Sequence, residues 1–193
     1  QVSLLVDCGQ VNQKKEVFSI RYRMVICTHR PQGFPMSLHY PHAYPPAAGE
    51  RIEVAPGVYW LRMPLPFQLN HINLWLLRDG DGWTIVDTGF PDDGVRETWT
   101  QIIDQLDGPV KRLIVTHFHP DHLGLAAWLM EKTGALLSMT AGEFLTAHVV
   151  WNEVGGHGAR FMVEQFRQHG LDAEHLAKFE KRGSGYRKAV PAL

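Results

Sequence analysis

Residues 116–122 read Thr116-His117-Phe118-His119-Pro120-Asp121-His122, and we call them the ligand loop. They place three imidazoles and one carboxylate within six consecutive positions. Neutral imidazole nitrogen and carboxylate oxygen are ligands that borderline divalent metals prefer, and catalytic zinc sites keep one coordination position open for water. This concentration of ligand side chains therefore indicates a metal-dependent hydrolase.

The spacing within the ligand loop predicts how its side chains are directed. In an extended chain, residues two apart point the same way, so His117 and His119 can converge on one ion while Phe118 turns into the core. Pro120 has a fixed φ and biases the preceding residue toward extended geometry. The chain turns there, so that the two residues after the proline can face a neighbouring ion.

The segments on either side of the ligand loop predict the elements that carry it. Residues 110–115 are mostly apolar and indicate a short strand that ends at the loop. Sites on α/β scaffolds tend to form at the carboxyl ends of such strands. Residues 123–132 are rich in helix formers and are followed by Gly134, a candidate C-cap. The local plan is therefore strand, ligand loop, helix.

A further carboxylate follows the apolar segment 83–86, in the turn Asp87-Thr88-Gly89. At the end of a strand, the Asp87 carboxylate can accept hydrogen bonds from the ligand loop and orient a metal-bound group. An aspartate that begins a turn is often only a satisfied cap, and Asp-Thr-Gly also occurs in aspartic proteases. The histidine cluster later in the chain favours the metal-site interpretation.

The two motifs together resemble the signature of the metallo-β-lactamase superfamily, which is T-H-x-H-x-D-H preceded by a strand that ends in an Asp-Thr-Gly-like turn. The match covers roughly residues 51–139. The resemblance implies that His117 and His119 bind a first metal ion, and that Asp121 and His122 bind a second. The aspartate of the upstream turn then contacts these ligands from outside the metal centre. The implied cofactor is Zn²⁺, two ions in the complete enzyme, with iron or manganese as alternatives.

The same resemblance implies an α/β (α+β) fold, the αββα sandwich in which two similar sheets pack face to face. Strand patterns occur at residues 51–54, 58–63, 73–77, 83–87, 110–115 and 135–139, and helix patterns occur at 92–106, 123–132, 140–151, 160–169 and 172–182. They account for the first half of the sandwich plus a helical insertion at 151–185, which either covers the site or is a solvated helical pair. We expect residues 1–35 to be an N-terminal extension of doubtful origin, and 36–193 to be a domain incomplete at its C-terminus.

The remaining ligands of a dinuclear site are not evident in the sequence. In the superfamily, later strands supply a third histidine for the first metal, an aspartate that bridges both ions and a final histidine for the second. His157 follows two glycines, as the third ligand often follows a glycine, but it lies between predicted helices and is otherwise a loop histidine. No strand-ending aspartate follows it. We therefore expect the chain to be a fragment that lacks part of its active site.

The resemblance also implies a mechanism, in which a metal-bound hydroxide attacks the substrate and Asp121 orients that hydroxide. Residues 65–74 are similar to the corresponding segment of glyoxalase II-like (hydroxyacylglutathione hydrolase-like) enzymes, which favours a thioester or related ester as the substrate. Asn70 or His71 in this segment is a candidate to border the site, and each is otherwise a loop residue with a local hydrogen bond. A nuclease of the same superfamily that acts on RNA and an inactive metal-binding fragment are the alternatives.

Composition limits the range of partners. The chain has 193 residues, of which 45% are hydrophobic and 20% charged, as in one globular domain. A net charge of −1 gives no basis for a nucleic-acid surface driven by net charge, and a local basic patch is left open. No apolar run is long enough for a membrane helix, and the N-terminus lacks the layout of a signal peptide. Cys8 and Cys27 lie outside the metal-binding region. We expect a cytoplasmic protein that acts on a small molecule, and the oligomeric state is left open.

Overall fold

The computed structural model describes residues 40–183 and 185–193. Residues from His42 to Leu193 form one compact unit. The expected N-terminal extension, residues 1–35, and both cysteines lie outside the described residues, so their assignment stays a prediction. None of the helices in the described part of the chain is long and apolar enough to cross a membrane.

Within the described residues, six strands form a single mixed sheet in the order of the sequence. They are β1 (Arg51–Ala55), β2 (Val58–Pro64), β3 (His71–Asp79), β4 (Gly82–Val86), β5 (Val110–Ile114) and β6 (Leu136–Ser138). The first four are antiparallel neighbours, because their connections are short, and two of them turn at glycines with positive φ, Gly57 and Gly80. The last three pair in parallel, because a helical connection separates each from the next. Every predicted strand is present.

In residues 40–183 and 185–193, seven helices accompany the sheet, together with a 3-10 turn at Gly155–His157. They are α1 (Asp93–Asp104), α2 (Pro120–Leu123), α3 (Ala126–Thr133), α4 (Ala141–Trp151), α5 (Ala159–Gln168), α6 (Ala173–Arg182) and α7 (Tyr186–Ala189). The predicted C-cap at Gly134 is confirmed by its left-handed conformation, with φ of 73°. The single-turn helices α2 and α7 are absent from the prediction, because four residues are too few to show a hydrophobic period.

The main core lies between one face of the sheet and helices α1 and α3. Cross-strand register aligns Leu61 with Leu74, and Leu76 with Ile85, on that face, and all four side chains are fully buried. Helix α1, predicted at 92–106, packs against them through an apolar stripe of Val95, Trp99 and Ile102. The opposite face is less protected and carries the half-buried cross-strand pair Trp60 and Trp75.

A second, smaller cluster joins the ligand loop to the C-terminal helices. Its buried members are Val115, Leu123, Ala126, Ala147, Tyr186 and Val190. Phe118 packs against this cluster, so its predicted inward orientation is confirmed. The chain thus has the mixed α/β fold expected for the first half of the sandwich, with α4 and α7 anchored beside the loop. Helices α5 and α6 pack on each other through Phe166 and Phe179, whose ring centroids are 5.0 Å apart.

Candidate metal centre

The ligand loop leaves the carboxyl end of β5 and enters α2 at Pro120. His119 is extended, with φ of −61° and ψ of 148°, as expected before a proline, and the proline occupies the first turn of α2, where its missing N–H is not needed. His117 and His119 point to the same side of the loop, and their ring centroids are 4.6 Å apart. The local geometry predicted from the spacing is therefore present.

The other two predicted ligands lie beside this pair. The ring centroids of His117 and His122 are 3.8 Å apart, and His122 Nε2 lies 3.5 Å from Asp121 Oδ2. The structure thus assembles three imidazoles and one carboxylate in a single group at one edge of the sheet. Ordinary packing gives no reason for three imidazoles to contact one another beside a carboxylate.

The donor set fits a divalent metal in its chemistry, although the side chains contact one another instead of surrounding a common point. Among residues 40–183 and 185–193, no three His, Cys, Asp or Glu side chains already form a metal-binding group. Coordination would require His117, His119 and His122 to rotate about their side-chain torsions. Their imidazoles, with the carboxylate of Asp121, are the ligand types that zinc, iron and manganese accept.

Burial favours the neutral form of one imidazole in this group. The pKa of His117 is lowered, chiefly by burial and next by the imidazoles of His122 and His119, while Asp87 and Asp121 act in the opposite direction. A metal binds the neutral form of imidazole. The environment of His117 therefore favours the protonation state that coordination needs.

Asp87 lies beneath the ligand loop, at the end of β4, and only 5% of its surface is exposed. Its Oδ1 accepts a hydrogen bond of 2.8 Å from the Thr116 backbone N–H, and its Oδ2 accepts one of 2.8 Å from the Thr116 hydroxyl. Its backbone has φ of 61°, a left-handed conformation that aspartate tolerates better than most residues. The contacts that the sequence predicted between this carboxylate and the loop are therefore made.

The same carboxylate lies against His122. The Nδ1 atom of this imidazole is buried and lies 2.8 Å from Asp87 Oδ2, although the two groups are not aligned as a hydrogen bond and no other described atom pairs with Nδ1. A carboxylate in this position favours the tautomer with the proton on Nδ1, which leaves the lone pair of Nε2 for a ligand. Asp87 thus contacts one predicted metal ligand and the backbone that precedes another.

Thr88 holds the ligand loop to the core and was not singled out from the sequence. Its side chain is fully buried, and both its backbone N–H and its hydroxyl donate to the His122 carbonyl, at 2.8 and 2.7 Å. The Thr88 carbonyl accepts from the Trp99 indole at 2.7 Å, and its hydroxyl accepts from the Leu125 N–H at 3.2 Å. Thr88 belongs to the Asp87-Thr88-Gly89 turn, but these partners are distant in sequence, so the turn motif alone does not predict its contacts.

A cavity of about 460 Å³ opens beside the metal-ligand group. It is lined by Phe67, Phe90, Pro120, Asp121, Gly185, Tyr186, Lys188 and Ala189. Phe67 and Phe90 meet edge to face with ring centroids 5.2 Å apart. Half of the lining comes from α7 and the residue before it, a segment that the sequence did not assign to the site.

The two weaker candidates lie apart from the imidazole group. His71 begins β3 at the same end of the sheet as Asp87, but its Nδ1 lies 2.8 Å from Asn70 Oδ1 and 3.4 Å from an Arg62 nitrogen. His157 is exposed in the 3-10 turn. Within the described part of the chain, neither ring contacts the other three imidazoles, so their roles stay predictions.

Comparison with known proteins places this site in a family. Residues 68–148, which include the ligand loop and Asp87, match the family model described as the metallo-beta-lactamase superfamily. A beta-lactamase domain protein from Burkholderia ambifaria is 45% identical, and its crystal structure aligns with 78% of this chain at a TM-score of 0.62. The chain belongs to the metallo-β-lactamase superfamily.

A second superfamily structure is similar over a smaller part of the chain. The metallo-beta-lactamase family protein from Thermus thermophilus is 30% identical over 67% of this chain, with a TM-score of 0.54. The alignments cover 42% of the Burkholderia protein and 43% of the Thermus protein, so the chain spans less than half of the length of either. No curated protein is significantly similar to it.

Proposed function

We propose that the chain carries the metal-binding part of a zinc-dependent hydrolase that acts on a thioester or related ester, as hydroxyacylglutathione hydrolases do. One observation carries this proposal: three imidazoles and a carboxylate are assembled at the carboxyl end of β5, directly above a buried carboxylate. Membership of a superfamily of metal-dependent hydrolases supports the general reaction class. The ester specificity is the finer part of the proposal.

The residues of the ligand loop divide between two ions in this proposal. His117 and His119 would hold one ion, and Asp121 and His122 would hold the other. Bound zinc ions supply Lewis acidity, which lowers the pKa of a water molecule and polarises a carbonyl oxygen. Iron or manganese could occupy the same donors.

The chain's own side chains supply orientation. The Asp121 carboxylate lines the cavity, where its oxygens can accept a hydrogen bond from the attacking water and direct it toward the substrate. Asp87 contacts His122 at Nδ1, and Asp121 lies near Nε2 on the other side of the same ring, so the two carboxylates together orient this imidazole. Thr88 holds the backbone of His122 in place through the carbonyl.

The cavity favours an acyl compound over an RNA backbone. Two aromatic rings, Phe67 and Phe90, form part of the wall, and among the described residues that line the cavity Lys188 is the only one with a basic side chain. An apolar acyl group can pack against the aromatic wall, and a single cation suits one carboxylate of a small molecule. RNA binding usually requires several cations along the path of the phosphates. A small-molecule partner is therefore proposed.

Turnover of defined substrates tests the proposal. The zinc-loaded protein is assayed with an acylated glutathione thioester, an aryl ester and a single-stranded RNA, beside the variants Asp121→Ala and His169→Ala, the second at an exposed histidine that is not a site candidate. We expect thioester or ester hydrolysis that falls at least roughly a hundredfold in Asp121→Ala and is unchanged in His169→Ala. RNA cleavage alone would support a nuclease instead, and zinc binding without turnover would support a metal-binding module.

A further inference from the structure

Phe118 lies between two predicted metal ligands, and side chains from distant helices bind both polar groups of its backbone. Its N–H donates to Glu143 Oε2 at 3.0 Å, and its carbonyl accepts from the Tyr186 hydroxyl at 2.6 Å. Glu143 belongs to α4, and Tyr186 belongs to α7. Neither residue has a place in the mechanism above.

The Glu143 carboxylate lies in the first turn of α4 but does not cap that helix. Thr140 is the N-cap of α4, and its hydroxyl accepts a hydrogen bond from the Glu143 N–H at 3.4 Å. The sequence of this turn predicts a capping box, in which the glutamate would reach back to the N–H of the cap residue. The carboxylate binds the Phe118 N–H instead. One side chain of the helix terminus is thus directed to the ligand loop.

Tyr186 is buried next to Phe118 and binds the carbonyl of that residue. Only 6% of its surface is exposed, and its ring packs with Phe118 at a centroid distance of 6.1 Å. Burial raises the pKa of Tyr186 to about 12, so the phenol remains a donor throughout the neutral range. Its hydroxyl is therefore available to the Phe118 carbonyl whenever α7 is in place.

The two hydrogen bonds act on the two peptide groups that separate the ligands. The Phe118 N–H belongs to the peptide plane shared with His117, and the Phe118 carbonyl belongs to the plane shared with His119. Holding both planes restricts the backbone torsions between them, and those torsions decide whether alternate side chains point to one side. The direction of both imidazoles consequently depends on these two contacts.

We propose that Glu143 and Tyr186 are positioning residues, which hold the backbone of Phe118 so that His117 and His119 face the same metal ion. The inference rests on the proposed metal site. It predicts that zinc affinity responds to residues that provide no ligand atom. Removing an outer contact of a metal ligand typically weakens binding by 10- to 100-fold.

Three variants and one control test the inference in the full chain. Tyr186→Phe removes only the hydroxyl, Glu143→Leu removes the acceptor, and Glu143→Gln keeps an oxygen that can accept from the same N–H. Thr140→Val removes the α4 cap without touching Phe118, so it reports the effect of weakening that helix alone. Zinc affinity is measured by competition with a chelator, and the exchange of the Phe118 amide hydrogen is measured in the metal-free chain.

We expect zinc affinity to fall roughly tenfold in Tyr186→Phe and in Glu143→Leu, and to change by less than about threefold in Glu143→Gln. Amide exchange at Phe118 should accelerate in Glu143→Leu and not in Glu143→Gln. Thr140→Val should lower stability and leave zinc affinity unchanged. Tyr186→Phe preserves the shape of the buried ring, so it carries the test if Glu143→Leu does not fold.

Zinc affinity that is unchanged in Tyr186→Phe and in whichever Glu143 variants fold would overturn the inference, while leaving the metal site intact. An equal loss of affinity in Thr140→Val would also overturn it, because helix stability would then explain the effect. A wild-type chain without measurable zinc binding would instead refute the proposed function and the inference that depends on it. Measurement of Phe118 exchange in the Glu143 variants shows whether the hydrogen bond from the Phe118 N–H itself was lost.

Discussion

His122 Nδ1 and Asp87 Oδ2 lie 2.8 Å apart in the buried region beneath the ligand loop. Asp87 is fixed there by two hydrogen-bond donors from Thr116 and by its place at the end of a central strand. Carboxylates that contact a metal-binding histidine in this way orient the ring and select its tautomer. The contact between Asp87 and His122 therefore links the stability of the fold around Asp87 to the binding of a metal.

Replacement of Asp87 should therefore affect folding and metal binding together. Asp87→Ala would leave the Thr116 N–H without an acceptor and place alanine at φ of 61°. We expect a loss of about 2–4 kcal/mol in the free energy of unfolding, measured by denaturant titration of the metal-free chain. Zinc affinity should also fall by roughly tenfold or more.

Asp87→Asn is the matched comparison, because asparagine tolerates a left-handed backbone and keeps an oxygen acceptor. It should retain most of the stability and lose zinc affinity, since the charge beside His122 is removed. Equal stability losses in the two variants would argue against the role assigned to the acceptor.

The imidazole of His119 can be removed without disturbing the fold. This residue is exposed, as is His169, which is not a site candidate, so each substitution by alanine should change the free energy of unfolding by less than about 0.5 kcal/mol. Only His119→Ala should weaken zinc binding, by more than about a hundredfold, because it removes a ligand atom. Isothermal titration of both variants makes the comparison. Comparable affinities would show that the ion binds elsewhere.

Gly124 sits where the ligand loop, α7 and the segment after β4 approach one another. A Cβ atom at this position would lie 2.6 Å from Pro91 Cδ and 2.9 Å from the Ala189 carbonyl oxygen, closer than such contacts allow. We expect Gly124→Ala to destabilise the chain by about 1–3 kcal/mol through overpacking, measured by thermal or denaturant unfolding.

Gly142 provides the opposite control. It lies in the first turn of α4, and a Cβ atom there would meet nothing within 4 Å. Gly142→Ala should therefore stabilise the chain by about 0.4–1 kcal/mol, because alanine loses less entropy in a helix. If both substitutions changed the free energy of unfolding in the same direction, close approach at Gly124 would not explain the effect of Gly124→Ala.

Stability should decline at strongly alkaline pH because of Tyr186. Burial raises its pKa in the folded chain to about 12, above the value of about 10 for an unfolded tyrosine. The folded state holds its proton more tightly, so this contribution is complete below pH 10 and is lost as the pH rises through 12. The free energy of unfolding, measured by denaturant titration, should fall as the pH rises across this range. The slope of this fall should be smaller in Tyr186→Phe. An unchanged slope would mean that another group is responsible.

Local patterns were sufficient for most of the elements and for the ligand set. Alternating and apolar runs identified the six strands, and Gly134 marked the end of a helix. The histidines and aspartate of the ligand loop are close in sequence, so a few torsions at Pro120 suffice to bring them together. Asp87 could be connected to them because parallel strands end at the same edge of a sheet.

The supporting contacts required the folded chain. Glu143 and Tyr186 bind Phe118 from 25 and 68 residues away in the sequence. Thr88 binds the His122 carbonyl from 34 residues away. Sequence motifs describe chemistry within a short stretch, where covalent geometry restricts the possible arrangements. Contacts at these separations depend on packing of whole helices against the sheet. The donor atoms of the candidate metal site were thus determined by residues adjacent in the chain, whereas the residues that orient them were determined by tertiary packing.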